Sequence, residues 1–531
     1  MAALTLSGRQ LIGGELCAEG NVVFRAIDPQ SGEHLAPPFH QASNAEVAQA
    51  AELAEAAFDP FRNISIDQRA DFLDAIGEEL TAIGPQLIAR AGEETALPEM
   101  RLQGELVRTV NQLKLFARVL RDGSYQDARI DCAQPQRQPL PKADVRSMLI
   151  PLGPVAIFGA SNFPLAFSVA GGDTAAALAA GCPVVFKGHP LHPGTCELAA
   201  QSISSAAVRN GLPPGVFALL QSDSNHTGAA LVQQPQIKAL AFTGSLAGGR
   251  ALFDLACARS EPIPVFAEMG SINPLVCLPQ AVAERTESLA QGLADSITLG
   301  VGQFCTAPGL LLLIDDASSQ AFIQKLTAAL VDKAFGVMLH PGIKQNYLAA
   351  LKAVSAVDEV ALLLEGAESQ QDCCVAPSLL KASAQTLLEN PLVTAEMFGP
   401  TAVVVLCKDA AELCAVAESL QGQLTATLHA SEDELAAYGG LLTILQRKAG
   451  RIVFNGFPTG VEVCDAMVHG GPYPASSDSR TTSVGTAAIT RFLRPVCYQN
   501  SPQSLLPVAL QDANASKLWR TVDGRLSQDD L

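Results

Sequence analysis

Three polar side chains stand in strongly apolar surroundings, and their chemical types are those that acyl chemistry requires. Asn162 lies in GASNFP, Glu268 in VFAEMGSINP and Cys305 in GVGQFCTAPG. A thiolate attacks a carbonyl carbon, an asparagine amide with a backbone N–H stabilises the oxyanion, and a carboxylate whose pKa an apolar setting raises activates water. Taken singly, each is more often a turn residue, an exposed acid or a core cysteine. As a set they predict covalent catalysis through a thioester.

Two other stretches predict a nucleotide site. In FTGSLAGGR a strand runs into a helix through Gly244 and Ser245, and the N–H groups at such a helix start attract a phosphate. Gly249 lets another segment approach that helix closely. Lys187 ends the strand in CPVVFKG, where its ammonium can reach a ribose or a phosphate. Both stretches also have purely structural interpretations, and FTGSLAGGR is not the GxGxxG fingerprint of an ordinary Rossmann dehydrogenase.

The elements that must position these residues begin with helices and then alternate with strands. Residues 40–125 predict amphipathic helices, because apolar residues recur every three or four positions in DQRADFLDAIGEELTAIG. Residues 148–273 alternate strands such as PVAIFGA and IKALAFTG with helices, and about 275–465 continue with GLLLLID, TAVVVLCK, LTATLHA and GRIVFNG. Such βαβ units imply parallel sheets with right-handed crossovers. The sequence therefore predicts an α/β fold with two doubly wound domains.

Composition limits the class of partner. The chain has 531 residues, so two or three domains are expected, and its net charge of −18 argues against nucleic acid, which needs a basic surface. No run of about 18–20 apolar residues predicts a membrane span, and the amino terminus does not resemble a signal peptide. The 13 cysteines form no CxxC pair, which predicts free thiols in a reducing cytoplasm and no metal site.

The motifs GASNFP, VVFKGHP, FTGS, FAEMGSINP, GQFCTAPG and EMFGP occur in the order in which the aldehyde dehydrogenase superfamily has them. The chain resembles that superfamily over about residues 20–500. The resemblance implies that Cys305 is the nucleophile, Glu268 the general base and Asn162 the oxyanion donor. The expected substrate is a small-molecule aldehyde.

The same resemblance implies how a nicotinamide dinucleotide would bind. Glu396 and Phe398 of EMFGP would contact the nicotinamide riboside end. Gly244 and Ser245 would lie against the pyrophosphate, and Lys187 against the adenosine ribose.

The superfamily's architecture implies a cofactor domain, a catalytic domain that carries the nucleophile, and a small bridging sheet that builds a homodimer or homotetramer. The predicted boundaries are 1–132 and 148–273 for the cofactor domain, 274–470 for the catalytic domain, 133–147 and 480–505 for the oligomerisation segments, and 506–531 for a C-terminal tail.

One departure from the superfamily bears on the cofactor. Three residues after Lys187, NAD-preferring members often have a glutamate that bonds the ribose 2′-hydroxyl, and this chain has Pro190. Because the missing acid removes repulsion toward a 2′-phosphate, NADP is the expected cofactor and NAD remains possible. Arg209 in VRNGLPPGVF is a candidate partner for that phosphate.

The late segment NGFPTGVEVCDAMVHGGPYPASSDSRTTSVG resembles the subgroup of α-ketoglutaric semialdehyde dehydrogenases, which is close to the NADP-dependent fatty aldehyde dehydrogenases. The resemblance implies oxidation of 2,5-dioxopentanoate to 2-oxoglutarate. A fatty aldehyde dehydrogenase, a coenzyme A-acylating enzyme and a non-catalytic homologue are the alternatives. An acidic substrate needs a cationic contact, for which Arg101 and Arg108 in MRLQGELVRTVNQL are both candidates.

Overall fold

The computed structural model describes residues 4–367, 369 and 373–531. Within these ranges the α-helices are α1 Asn44–Arg62, α2 Ile66–Ala82, α3 Gly84–Thr95, α4 Glu99–Asp122, α5 Gly172–Ala180, α6 Pro193–Arg209, α7 Asn225–Val232, α8 Leu246–Cys257, α9 Pro279–Thr298, α10 Ala317–Val331, α11 Pro341–Ser355, α12 Ala384–Glu389, α13 Ala410–Ser419, α14 Glu432–Ala437 and α15 Gly439–Lys448. None of them is long and apolar enough to cross a bilayer.

The strands in the same ranges are β1 Gln10–Ile12, β2 Glu15–Cys17, β3 Val23–Phe24, β4 Phe39–His40, β5 Arg129–Asp131, β6 Val145–Pro151, β7 Val155–Phe158, β8 Val184–Lys187, β9 Phe217–Leu220, β10 Ala239–Thr243, β11 Val265–Glu268, β12 Pro274–Cys277, β13 Leu310–Ile314, β14 Gly336–Val337, β15 Ala361–Leu364, β16 Cys374–Val375, β17 Ser378–Ser383, β18 Thr401–Cys407, β19 Gln423–His429, β20 Ala449–Phe454, β21 Leu493–Gln499, β22 Arg520–Val522 and β23 Arg525–Ser527.

The helices predicted from residues 40–125 are α1 to α4, and local sequence fixes their ends. Ser43 and Glu46 form a capping box at the start of α1, as Ser65 and Gln68 do for α2. These reciprocal bonds satisfy backbone donors that have no partner inside the helix. Gly123 ends α4 in the left-handed conformation that glycine adopts without strain.

The first large sheet has the order β11-β10-β7-β8-β9-β1-β2. Strands β7 to β11 are parallel, and β1 adds to β9 in the antiparallel direction. Strands β7 and β9 are buried along their whole length, as expected for a parallel sheet covered by helices on both faces. The strand order reverses between β7 and β10, and ligands of open α/β sheets bind at such a switch point.

The second large sheet has the order β15-β17-β18-β13-β12-β19-β20, and apart from β15 its strands are parallel. Its centre is the run LLLLI of β13, whose first four residues are buried. Short strand β12 follows β11 directly, so the carboxyl edge of the first sheet leads into the amino edge of the second. The predicted α/β class with two doubly wound sheets is confirmed.

A third, five-stranded sheet has the order β21-β6-β5-β22-β23. Strand β21, which carries the residues RPVCYQ, pairs with β6 over its full length. Strands β22 and β23 come from residues 506–531, so part of the predicted C-terminal tail belongs to this sheet. The sequence signal is weak because each of these strands has only three residues.

Candidate active site

The carboxyl ends of three neighbouring strands of the first sheet bring the predicted residues to one edge. Strand β7 leads into the loop of Asn162, β10 leads into Gly244 and Ser245, and β11 ends on Glu268 itself. Because β10 lies between β7 and β11, these residues meet at and beside the switch point. Cys305 comes to them from the other side, since it precedes β13 at the amino edge of the second sheet.

Two features hold the nucleophile loop in place. Gly302 has a φ of +67°, and a Cβ there would lie 2.2 Å from the backbone of Gly399, so only glycine fits. On the other side, the fully buried Asn273 donates from Nδ2 to the carbonyl oxygens of Cys305 (2.8 Å) and Ala307 (3.0 Å). The thiol therefore sits on a backbone that is fixed from both sides.

Asn162 is attached to the same loop. Its Nδ2 donates to the carbonyl oxygen of Gln303 at 2.8 Å, which uses one of the two amide hydrogens. The backbone carbonyl oxygen of Asn162 accepts a 2.6 Å hydrogen bond from Nη2 of Arg101. Asn162 and Cys305 both line one cavity, as an oxyanion donor and its nucleophile must; the oxyanion role itself stays a prediction.

Glu268 has two side-chain partners that the sequence analysis does not identify. Its Oε1 lies 2.9 Å from Nε2 of His469, and its Oε2 accepts a 2.7 Å hydrogen bond from the hydroxyl of Ser483. The same Nε2 lies 3.6 Å from Sγ of Cys305. Thiol, imidazole and carboxylate thus form one buried cluster.

The neighbours of Glu268 reverse the expected direction of its pKa. Burial raises the pKa of this carboxyl, but the adjacent His469 ring, together with hydrogen bonds from Ser483 and Cys305, outweighs burial and holds the pKa below its ordinary value. The expectation of a pKa raised toward neutrality is therefore wrong. Glu268 is a carboxylate at neutral pH, which is the form a base requires.

The thiol is affected in the opposite sense. Burial, followed by the charge of Glu268 and a hydrogen bond to it, raises the pKa of Cys305 well above its ordinary value. Cys305 is therefore protonated in this arrangement, and it needs a base to become a nucleophile. Glu268 and His469 are the groups in contact with it.

The segment that carries His469 and Ser483 is bonded to the strand that carries the base. The N–H of Met269 donates to the carbonyl oxygen of Ala475 at 2.8 Å, and the N–H of Ser477 donates to that of Ala267 at 2.9 Å. This short backbone ladder fixes the distance between the imidazole and the carboxylate.

A cavity of about 250 Å³ opens onto this cluster. Of the predicted cofactor residues, its walls include Gly244, Ser245, Glu396 and Phe398, and Ile343 and Asn346 of α11 complete it. The start of α8 lies at the opening, where Ser245 caps the helix by accepting the N–H of Gly248. A helix start with exposed backbone at 244–247 and an acid beside an aromatic ring fit a nicotinamide dinucleotide.

Two predicted cofactor residues lie outside these walls. Lys187 ends β8, its Nζ donates to the carbonyl oxygen of Ser222 at 2.6 Å, and burial lowers its pKa to about 8. Gly249 is a buried residue of α8, where a Cβ would lie 2.6 Å from Cγ of Met269. It allows close packing, as predicted, so any effect on a cofactor is indirect.

The prediction that Arg209 meets a 2′-phosphate is wrong. Arg209 is the last residue of α6 and pairs with Glu78 and Glu79 of α2 at 2.6 and 3.0 Å. Helix α6 starts just after Lys187 and has 17 residues, so it carries Arg209 about 25 Å away from that strand end.

Comparison with known proteins identifies the same family that the motifs of the site resemble. The model of the Aldehyde dehydrogenase family matches residues 17–492. The chain is 51% identical over 523 residues to alpha-ketoglutaric semialdehyde dehydrogenase 2 of Azospirillum brasilense, covering 98% of this chain and 100% of that one. It is 47% identical to alpha-ketoglutaric semialdehyde dehydrogenase of Acinetobacter baylyi, covering 98% and 99%.

Solved structures share the fold at low identity. Gamma-glutamyl-gamma-aminobutyraldehyde dehydrogenase of Burkholderia cenocepacia superposes with a TM-score of 0.80 at 22% identity, over 93% of this chain and 97% of that one. A betaine aldehyde dehydrogenase of Staphylococcus aureus in complex with NAD+ gives 0.80 at 18% identity, over 94% and 98%. With a family match over most of its length and a thiol, a carboxylate and an amide at one cavity, the chain belongs to the aldehyde dehydrogenase family.

Proposed function

We propose that this enzyme oxidises 2,5-dioxopentanoate to 2-oxoglutarate. The observation that carries the chemistry is the convergence of Cys305, Glu268 and Asn162 on one cavity. The choice of aldehyde is supported by the two bacterial relatives, which carry the name of this activity and match the chain over nearly its full length.

The first step is activation of the thiol. The proton of Cys305 passes to the contacting cluster, where Glu268 holds it with the help of His469. Nδ1 of His469 has no hydrogen-bond partner among the described residues, whereas Nε2 faces Glu268, so the ring donates to the carboxylate through Nε2. The thiolate then adds to the aldehyde carbon, and the second N–H of the Asn162 amide, with the N–H of Cys305, stabilises the oxyanion.

Glu268 acts again in the second half of the reaction. Glu396 and Phe398 would hold the nicotinamide end of the cofactor, which would supply the hydride acceptor needed to oxidise the adduct to a thioester. Once it has lost its proton, Glu268 deprotonates a water that hydrolyses the thioester. Ser483 keeps the carboxylate in reach of Cys305 through both steps. A base so close to the thioester favours hydrolysis over transfer to coenzyme A.

We infer that NADP is the preferred cofactor. Pro190 supplies no carboxylate beside the adenosine ribose, and Lys187 at the end of β8 is the nearby cation. Because Arg209 lies elsewhere, Lys187 alone is assigned to the 2′-phosphate.

We infer that the chain assembles as a homodimer or homotetramer through the five-stranded sheet. Strand β21 is an edge strand in which Arg494, Pro495, Cys497 and Gln499 are exposed. An unpaired edge of seven residues is a template for pairing with a second copy. Light scattering on the eluted protein gives the mass; a monomer would contradict this assignment.

The substrate assignment is tested by a panel of kcat/KM values. The panel contains 2,5-dioxopentanoate, succinic semialdehyde, glutaraldehyde and decanal, each with NAD and with NADP. We expect the highest value for 2,5-dioxopentanoate with NADP. Decanal would be the best substrate of a fatty aldehyde dehydrogenase. Phe163, Phe167 and Phe304, which contact one another beside the thiol, would provide apolar surface for such a substrate. A higher value for decanal would overturn the assignment.

Two variants test the catalytic roles separately. Cys305→Ala removes the nucleophile, so no reduced cofactor should form. Glu268→Gln keeps the shape of the carboxyl but cannot take a proton, so both thiol activation and thioester hydrolysis should be slow. If hydrolysis is the slower of the two steps, a single-turnover burst of reduced cofactor should precede the slow steady state. Full steady-state activity in either variant would contradict its role.

A further inference from the structure

A row of aromatic rings leads away from the thiol on a side that the 250 Å³ cavity does not include. Phe304, next to Cys305, contacts Phe163 with ring centroids 5.2 Å apart, and Phe163 contacts Phe167 at 5.2 Å. Phe167 in turn lies 6.1 Å from the ring of His469. These rings form one apolar wall beside the nucleophile.

Arg101 and Arg108 lie seven residues apart on α4, and both stack on this wall. Arg101 is also bonded to the backbone of Asn162. Its guanidinium lies 5.0 Å from the ring of Phe163 and 4.8 Å from that of Phe304, and it donates to the carbonyl oxygen of Asn162. Arg101 therefore positions the oxyanion residue and the nucleophile loop.

Arg108 and Arg451 both donate hydrogen bonds to the loop of residues 458–461. Arg108 stacks on Phe167 at 5.7 Å and donates to the carbonyl oxygen of Val461. Arg451, on β20, donates to the carbonyl oxygens of Pro458 and Gly460. Two guanidinium groups from separate elements thus hold one loop, residues 458–461, from two directions.

Both groups have unused charge and donors. Neither has a carboxylate within ion-pair distance among the described residues, and Nε of Arg451 is buried there without a hydrogen-bond partner. Two carboxylates interact electrostatically with Arg108, and both form hydrogen bonds with other groups. Glu105 accepts two backbone N–H groups, and Glu462 accepts one.

Both charges act on the reaction centre. Arg108 and Arg451 are each partly desolvated, and each interacts electrostatically with Cys305. A guanidinium stays charged under such conditions and binds a carboxylate through two parallel hydrogen bonds. Because neither guanidinium forms a salt bridge with a carboxylate among the described residues, each can bind the carboxylate of a ligand.

We propose that Arg108 and Arg451 bind the carboxylate of the substrate while its aldehyde carbon lies at Sγ of Cys305. The pair would select aldehydes that carry a carboxylate at the far end over uncharged ones of the same length. This inference rests on the proposed function and identifies the residues that determine its specificity. It also separates the two sequence candidates, since Arg108 receives the substrate and Arg101 does not.

The test is the ratio of kcat/KM for 2,5-dioxopentanoate to that for pentanal, an uncharged aldehyde with the same number of carbons. We expect Arg108→Gln and Arg451→Gln each to lower this ratio by about 10- to 100-fold, chiefly through KM for the acid, because charge-assisted hydrogen bonds contribute that much. Arg101→Gln should lower both values alike and leave the ratio unchanged.

Arg118→Gln is the matched control, because Arg118 lies on the same helix but is exposed and pairs with Asp465. Its ratio and activity should equal those of the wild type. Activity on pentanal and the thermal midpoint show that each variant is folded; if a Gln variant fails to fold, Arg108→Lys and Arg451→Lys, which keep the charge, replace it with a smaller expected loss.

The outcomes separate the two proposals. If the wild type prefers 2,5-dioxopentanoate and the Arg108 and Arg451 variants keep its ratio, the carboxylate assignment is wrong and the proposed function stands. If the wild type itself prefers pentanal or decanal, the proposed function fails. A ratio that falls in the two variants would then still show that these arginines recognise a carboxylate.

Discussion

Replacing His469 with phenylalanine tests the reversed pKa of the base. The ring keeps its volume in a site where His469 is 1% exposed, but the nitrogen 2.9 Å from Glu268 is lost. The Glu268 carboxylate then keeps the Ser483 bond and its burial, and burial raises its pKa. Removing one partner of a buried pair costs about 3–5 kcal/mol, and 1.36 kcal/mol corresponds to one pKa unit. Part of that cost appears as titration, so the pKa of Glu268 should rise.

The sign of the effect on activity follows from the form in which Glu268 works. A base acts only when deprotonated, so activity is lost as the pH falls through its pKa. With a pKa held below the ordinary range, the wild type should keep its activity down to mildly acidic pH. In His469→Phe the acid limb of kcat/KM should move to higher pH, and the deficit should be smallest at alkaline pH.

The assay is kcat/KM from pH 5 to 10 with 2,5-dioxopentanoate and saturating NADP. Ser483→Ala should move the same limb in the same direction by less, because it removes one hydrogen bond and no ring. His226→Gln, which changes an exposed histidine that contacts Asn44, should leave the profile unchanged. A folded His469→Phe variant with the wild-type acid limb would refute the reasoning.

Three further changes probe the scaffold of the site. Asn273→Ala leaves the carbonyl oxygens of the nucleophile loop without their buried donor, so the free energy of unfolding should fall by about 2–4 kcal/mol and kcat with it, measured by urea denaturation and steady-state kinetics. Gly302→Ala forces a Cβ against the backbone of Gly399 at a positive φ, so it should abolish activity or folding. Its control is Gly104→Ala, in open space on α4, which should leave the thermal midpoint unchanged or slightly raised. Gly249→Ala should raise KM for the cofactor because α8 must move, and Gly439→Ala, with nothing within 4 Å, serves as its control; equal KM values would contradict this.

The sequence predicts the parts of the site that stand at the ends of regular elements. Glu268 and Lys187 end buried strands, and Asn162 follows one, so a strand pattern locates them along the sheet edge. To locate Cys305, the motif GQFCTAPG is needed as well, because the loop of this residue lies at the amino edge of the other large sheet. The parallel direction of most strands follows from βαβ alternation, whereas the order of the strands comes from the structure alone.

The partners of these residues are not predictable in the same way. His469 and Ser483 lie in a stretch without helix or strand, where no periodicity indicates which side chains are buried. The expected pKa of Glu268 was wrong for this reason, because its direction depends on a neighbour 201 positions later. The prediction for Arg209 was wrong for a different reason. Its position after Lys187 in the sequence does not reveal that α6, which lies between them, runs away from the site.

The backbone ladder between β11 and residues 475–477 has a consequence for synthesis of the chain. It includes a hydrogen bond from the N–H of Ala267 to the hydroxyl of Ser477 that closes a loop of 210 residues. A nascent chain that has not yet emerged beyond residue 469 carries the thiol, the carboxylate and both large sheets' central strands, yet its carboxylate has no imidazole beside it. The active arrangement therefore forms only after residues 469–483 have left the ribosome. Onset of aldehyde oxidation is accordingly a late marker of maturation, and release of truncated chains yields protein without the assembled proton-transfer cluster.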